Sequence, residues 1–481
     1  MKQQIKYLTA MALLLMMTFP AVFAQNQPAA FSTAGWWKPA EPPFSPVVND
    51  DNSITFRIKA PNAQKVSLHF DEWDVKPQAM TKDTRYQGHK AFVADLDKKG
   101  IKNEFHELPF GHEWEFWRLQ LNDFSQCLFK SQPVRLSIVD PLATPETKAL
   151  YANLWKIKQK GAMFGHHDYP SYGVGWRGDK DRSDVKDITG DHPAVYSLDM
   201  NGINQKKIDQ IREVYERGGI SMLVWHQNNP LTEGPNKEYP KGTAWDNTKV
   251  VDQILKEGSE MNIKYKKRLD DAATAFLSMK DKNGKYIPVI FRPLHEHTQR
   301  WNWWGSSATT DEEFIAFWRF IVHYLRDVKQ VHNVLYALSP QMDEIYPDTK
   351  NRLLYRWPGN DYVDFLGMDC YHGRNAPAFQ SNLEALTEVA QIINKPVGVT
   401  ETGLENNHTK DYWTKDVLPA LKNNRVSMLV AWRNEKPSHA FGPYPSDVSA
   451  EDFVLFYKDD LTLFEKDLPK MYVMPEGVVV N

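Results

Sequence analysis

The sequence predicts an α/β protein, a (β/α)8 barrel preceded by a small, mostly β amino-terminal region. Three observations lead there. From about residue 132 onward, eight short and nearly continuous apolar runs alternate with segments of helical period. Each run stops abruptly in polar or aromatic residues. Strands covered by helices on both faces read as such runs, and eight of them over about 340 residues suit a closed barrel with long loops. Residues 51–131 lack this rhythm and instead show short alternating runs.

In chain order, residues 1–24 combine Lys2 and Lys6 with an apolar stretch and the small-residue finish Val22-Phe23-Ala24. That pattern is expected of a cleaved signal, which implies a secreted or periplasmic protein. No cysteine follows the apolar stretch, which argues against a lipid anchor. Residues 25–50, rich in Pro, Asn and Ala, read as a linker.

Residues 51–131 open with SITFRIKAPNAQKVSLHF, Ser53 to Phe70, in which the strand-like ITFRIKA and KVSLHF flank the turn-prone PNAQ. This pair resembles the immunoglobulin-like module at the front of many carbohydrate-active enzymes, including bacterial esterases of the feruloyl esterase type. GIKNEFHELPFGHEWEFWRLQLNDFSQCLFK, Gly100 to Lys130, resembles the carboxy-terminal end of the same esterases. That resemblance implies a triad histidine at His112. The chain has no G-x-S-x-G elbow to supply a nucleophile, so a structural or carbohydrate-contacting role is expected in place of ester hydrolysis.

Residues 132–481 carry the eight runs: AMFGHHD (162–168), AVYSLDM (194–200), SMLVWHQ (221–227), YIPVIFRPLHE (286–296), VLYALSP (334–340), VDFLGMDCY (363–371), PVGVTETG (396–403) and VSMLVAWRN (426–434). The segments between them have the marks of helices. INQKKIDQIREVYERGG places Ile203, Ile208, Ile211 and Val214 at helical spacing and stops at Gly218-Gly219. DEEFIAFWRFIVHYLRDV opens with acids, as the helix dipole prefers.

Composition narrows the function. A formal net charge of −3 over 481 residues offers no field of one sign for nucleic acid or an anionic membrane. Aromatic residues make up 12%, with sixteen tryptophans, which suits a protein that stacks flat ligands such as sugar rings. The two cysteines, Cys127 and Cys370, fall in different predicted domains, so neither a disulfide framework nor a metal site is expected. No cofactor and no obligatory protein partner are implied.

Active sites of such barrels lie at the carboxy-terminal strand ends, which makes the polar endings the candidates. They are His166-His167-Asp168, Trp225-His226-Gln227, Arg292 with His295-Glu296, Asp369 with Tyr371, Glu401, and Trp432-Arg433-Asn434. Glu296 and Glu401 close the fourth and seventh runs, on opposite sides of the mouth. Two facing carboxylates are what glycoside cleavage requires, one to protonate the leaving oxygen and one to attack. A tyrosine beside the attacking carboxylate keeps it ionised by donating a hydrogen bond. Trp301, Trp303, Trp304 and Trp432 offer apolar faces for pyranose rings, with packing expected for one or two of them. His226 reads equally well as a buried histidine satisfied by backbone. Three adjacent residues cannot converge on one ion, so His166-His167-Asp168 is not read as a metal site.

FRPLHEHTQRWNWWG, MFGHHDYPSYGVGW, VWHQNNP, MDCYH and VTETG together resemble glycoside hydrolase family 26, from about Asp140 to about Pro469. The best-known members are retaining endo-β-1,4-mannanases on a (β/α)8 barrel. The resemblance implies Glu296 as acid/base, Glu401 as nucleophile, His295 in contact with the sugar and Trp301 stacked in the cleft. It also implies that His226, Tyr371 and Trp432 line the subsite of the reacting sugar. His297-Thr298-Gln299-Arg300 stands where the family usually has a Gly or Asn, which bears on cleft width. The function expected is a secreted, cofactor-free retaining endo-β-1,4-mannanase acting on β-mannan, glucomannan or galactomannan. The alternatives are a β-1,3-1,4-glucanase or β-xylanase of the same fold, a carbohydrate-binding protein on an inactive barrel, and a bifunctional esterase-glycosidase.

Overall fold

The computed structural model describes residues 133–234, 242–406 and 409–481, and before them four short strands and a helical turn at 94–98. The chain divides into two units, 1–132 and 133–481. In the first, Val47–Val48 pairs antiparallel with Ile54–Thr55, and Val66–Leu68 pairs with Gln78–Met80. Ile54–Thr55 and Val66–Leu68 fall within the two predicted runs, but each has another partner. The stretch expected to resemble an esterase tail, with His112, lies outside the described residues.

The second unit is the barrel. Its strands are β1 (Ala162–His167), β2 (Val195–Asp199), β3 (Ile220–Val224), β4 (Val289–Arg292), β5 (Val334–Leu338), β6 (Phe365–Cys370), β7 (Val397–Thr402) and β8 (Met428–Ala431). Every neighbouring pair is parallel, and β8 returns to β1 with Met428 opposite Met163 and Ala431 opposite His166, closing the sheet. Seven of the eight predicted runs contain their barrel strand whole, and the third begins one residue inside β3, which starts at Ile220. A further strand, Thr462–Leu463, adds to β1 outside the closed set.

The helices following the strands are α1 (Asp184–Thr189), α2 (Gln205–Arg217), α3 (Glu260–Ser278), α4 (Asp311–His323), α5 (Thr349–Leu353), α6 (Ala376–Ile393), α7 (Leu418–Asn423) and α8 (Ala450–Tyr457). Their ends follow from local chemistry. The Asn204 side chain accepts from the Lys207 amide to start α2, and Gly218, at φ 98°, stops it in the left-handed region that glycine tolerates. Thr310 and Glu313 form a reciprocal capping box at α4, satisfying two amides that the first turn cannot. Beyond α4 the predicted helix continues as a π turn, Tyr324–Val328.

Alternate strand residues Met163, Val195, Met222, Ile290, Leu335, Phe365 and Met428 fill the barrel in one core cluster. Leu136, Leu150, Met471 and Val478 join that cluster, so the segments before β1 and after α8 pack under the amino-terminal strand ends. Val134–Leu136 pairs in parallel with Val478–Val480, tying the two ends of the unit together. The carboxy-terminal strand ends are left for the site.

Candidate active site

A register shift makes the site possible. Between β6 and β7, Met368 faces Val399 but Asp369 faces Glu401, so Thr400 is the extra residue. Strict alternation would send Thr400 and Glu401 to opposite faces. The irregularity lets both reach inward, as bulges beside active sites do. Thr400 Oγ1 donates to Asp369 Oδ1 at 2.7 Å, while Glu401 meets Arg292 and Tyr371. Gly367 keeps the space clear, since a Cβ there would lie 2.5 Å from Thr400 Oγ1.

Arg292, the last residue of β4, is fully buried and organises the acids. One guanidinium nitrogen donates to Ser339 Oγ at 2.8 Å and to Asp369 Oδ2 at 2.5 Å, and the other pairs with Glu401 Oε1. Burial alone opposes its charge, but Asp369 and Glu401 outweigh that and raise its pKa above the ordinary value. Tyr371 donates from its hydroxyl to Glu401 Oε2 at 2.8 Å. Burial, and then the Glu401 charge, push the Tyr371 pKa well up, so the phenol remains a donor. Both Glu401 oxygens are thereby held.

Glu296 faces this assembly from the loop after β4. Its backbone is left-handed, with φ 54°, a strained state for a glutamate that tends to occur where function over-determines position. Its amide donates to Ser339 O at 2.8 Å, and Gln299 N returns to its carbonyl at 2.9 Å. Ser339 therefore supports both carboxylates, one through Arg292 and the other through the main chain. Single carboxylate oxygens of Glu296, Asp369 and Glu401 lie within 4.8 Å of one another. Burial first, then the charges of Glu401 and Asp369, raise the Glu296 carboxyl well above the usual glutamate range.

The histidines form a second layer of the mouth. His226 Nδ1 lies 2.9 Å from Asp199 Oδ2, and its Nε2 lies 3.1 Å from His295 Nε2. Burial opposes the charged form of His226, but the charge and hydrogen bond of Asp199 prevail and its pKa is raised. His295 is driven well below the ordinary histidine value by burial, then by His226 and Arg292. His226 is thus satisfied by side chains, not by backbone carbonyls. Trp432 stacks on His167 at 4.0 Å between centroids and stands 5.7 Å from His226.

The tryptophans divide. Trp301 is 39% exposed and free to meet a ligand. Trp303 and Trp304 are fully buried, donating to Gln227 O at 2.9 Å and His295 O at 2.7 Å, so both pack the loop and neither is a sugar platform. Of the predicted residues, Glu296, Glu401, His226, His295, Tyr371 and Trp432 converge on one mouth, with Trp301 on the loop that Glu296 opens. Sequence reasoning missed Asp199 and Trp245. Asp199 ends a strand in an acid, a signal as plain as those that were used. Trp245 is 44% exposed with its ring 5.8 Å from His226, and it belongs to a long loop without periodic pattern.

A closed eight-stranded parallel barrel with two glutamates facing each other at its carboxy-terminal mouth defines a glycoside hydrolase. Residues 139–440 match the model of glycosyl hydrolase family 26, and the chain belongs to that family. Over 62% of its length it is 29% identical to a mannan endo-1,4-beta-mannosidase of Bifidobacterium adolescentis, of which it spans 32%. It is 25% identical to a mannan endo-1,4-beta-mannosidase of Bacillus subtilis, spanning 83% of that protein. Among solved structures, a family 26 beta-mannanase of Bacteroides ovatus superposes with a TM-score of 0.64 at 39% identity, covering 69% of this chain and 98% of the other.

Proposed function

We propose that this protein is a retaining endo-β-1,4-mannanase, with Glu401 as nucleophile and Glu296 as acid/base. The observation that carries this reading is the short approach of the two glutamates, one carboxylate oxygen of Glu296 lying within 4.8 Å of one of Glu401, which leaves no room for an intervening water between those oxygens on the scale an inverting enzyme needs. Retaining enzymes hold the pair about 5–5.5 Å apart, whereas inverting ones leave about 6.5–9.5 Å for a water. Mannan as substrate is supported by the family and by the mannanases to which the chain is similar.

The chemistry follows from the two environments. Glu401, held by Arg292 and Tyr371, attacks the anomeric carbon as the glycosidic bond breaks. Glu296, kept protonated by its raised pKa, gives its proton to the departing oxygen. The covalent glycosyl ester consumes the charge of Glu401, which removes one cause of that raised pKa. Glu296 then takes a proton from water, whose oxygen displaces Glu401 from the anomeric carbon. Trp301 and Trp432 supply apolar faces along the chain, and the His226–His295 pair forms part of the polar wall of the mouth.

The test is hydrolysis of a panel of β-linked polysaccharides by the wild-type chain. Mannan, glucomannan or galactomannan is expected to be cut internally, with a rapid fall in viscosity. Preference for a mixed-linkage glucan or xylan would replace the substrate assignment and leave the mechanism. Export rests on the sequence pattern of residues 1–24 and is tested by the amino terminus of the protein recovered from its host.

A further inference from the structure

Asp199 ends β2 and belongs to none of the groups assigned above, yet it holds His226 at two points. Its Oδ1 accepts from the His226 amide at 3.2 Å, and its Oδ2 lies 2.9 Å from His226 Nδ1. The Asn201 amide, at 2.8 Å from Oδ1, fixes the carboxylate in turn. From His226 the chain runs to His295 through two Nε2 atoms 3.1 Å apart, with the rings at 72°. His295 immediately precedes Glu296 in sequence, and its Nδ1 is buried with no partner among the described residues.

The protons on this chain are constrained. An ionised carboxylate accepts only, so His226 Nδ1 carries a hydrogen. Two nitrogens in hydrogen-bond contact share one proton between them. If His226 is neutral, His295 donates to it and presents a bare Nδ1. If His226 is an imidazolium, it donates to His295, whose Nδ1 then carries the hydrogen. The state of His226 therefore decides whether the buried Nδ1 of His295, the residue that precedes the acid/base, is an acceptor or a donor.

We propose that Asp199 is a positioning residue for the glycosidic reaction, acting through His226 to fix the orientation and proton arrangement of the His226–His295 pair, whose second member directly precedes Glu296 in the chain. This rests on the reading of Glu296 as acid/base. The charged and titratable groups facing His226 are Asp199 on β2, His167 on β1, Arg292 on β4, His295 on the loop after β4 and Glu401 on β7. The acids favour its charged form, and Arg292 and the burial oppose it. Among the described residues Asp199 is the one acid in hydrogen-bond contact with the ring, so the balance turns on it.

The experiment uses the full chain, with side-chain nitrogen NMR of the histidines across pH and kinetics on soluble mannan. In the wild type, His226 is expected to ionise above its ordinary value of 6.5 with Nδ1 protonated. Asp199→Asn should bring that ionisation below the wild-type value and lower kcat by about tenfold, the size of one lost charge-assisted hydrogen bond. KM should change less, because the loss falls on the arrangement of the reacting groups and not on stacking. Asp199→Glu, which keeps the charge, should restore the raised ionisation and part of kcat; it also serves if the asparagine variant fails to fold. An unchanged His226 ionisation in Asp199→Asn, or an unchanged kcat in a folded variant with altered ionisation, would overturn the proposal. Glu296→Gln with wild-type turnover would instead remove the acid/base reading, whatever the histidine titration shows.

Discussion

Arg292 and Glu401 form an ion pair inside the barrel mouth, the arginine fully buried and the glutamate 3% exposed. The same guanidinium holds Asp369, so one cation balances two buried acids. Such an arrangement is weak evidence of net stabilisation, but breaking it leaves uncompensated charge in the interior.

Arg292→Met is therefore expected to cost about 3–5 kcal/mol of unfolding free energy, measured by chemical denaturation. Arg292→Lys should retain part of the stability and little activity, because an ammonium cannot span Asp369, Ser339 and Glu401 in one plane. Wild-type kcat in the lysine variant would show that the fork geometry is not used.

The two glutamates should differ by leaving group. Glu401→Ala is expected to abolish turnover on every substrate, since no covalent intermediate forms. Glu296→Ala should keep activity on aryl mannosides whose leaving groups need no proton. Equal losses on activated and natural substrates would leave the division of roles unsupported.

The elevated Glu296 pKa has consequences in both activity and stability. Activity needs the protonated acid, so kcat/KM should fall as the pH rises through the raised folded value. The unfolded chain releases this proton near the ordinary 4.5, so the group's contribution to stability is full below that and is lost as the pH climbs toward the folded value. Glu296→Gln is expected to melt higher than the parent at neutral pH and to lie closer to it near pH 4. In Glu401→Gln, carbon NMR of Glu296 should show its pKa lowered but still above 4.5, because burial, the larger cause, remains.

The tryptophans separate binding from folding. Trp301→Ala should reduce catalytic efficiency by about 1–3 kcal/mol on mannan and glucomannan alike, since stacking does not read the 2-hydroxyl. Trp303→Ala or Trp304→Ala should cost about 3–5 kcal/mol of folding stability, as core substitutions do. His226→Ala should narrow the preference between mannose and glucose at the reacting position. Changed preference with Trp301→Ala and unchanged preference with His226→Ala would reverse the two roles.

These residues also show how far the sequence could be read. The eight strands were legible because a parallel sheet buried on both faces permits little but apolar residues until each strand ends. Glu296, Glu401, His226 and Tyr371 were legible as breaks in that pattern. The shift at Met368/Asp369 was not, since it depends on how two strands pair, and no residue type announces it. Nor could the pattern distinguish Trp301 from Trp303 and Trp304, whose exposure depends on how the loop folds back on Gln227 and His295. Asp199 was readable but lay on a strand whose ending was passed over, and its value appears only once His226 is seen in its grip.

The most direct test of the central claim is covalent trapping. Incubating the wild-type chain with an activated 2-deoxy-2-fluoro-β-mannosyl substrate slows breakdown of the intermediate more than its formation, and peptide mass spectrometry then locates the sugar. The expected result is one adduct per chain on the peptide containing Glu401, absent in Glu401→Gln. A sugar attached to Glu296, or hydrolysis that proceeds with no adduct and releases the inverted anomer, would contradict the assignment of Glu401 as the nucleophile of a retaining enzyme.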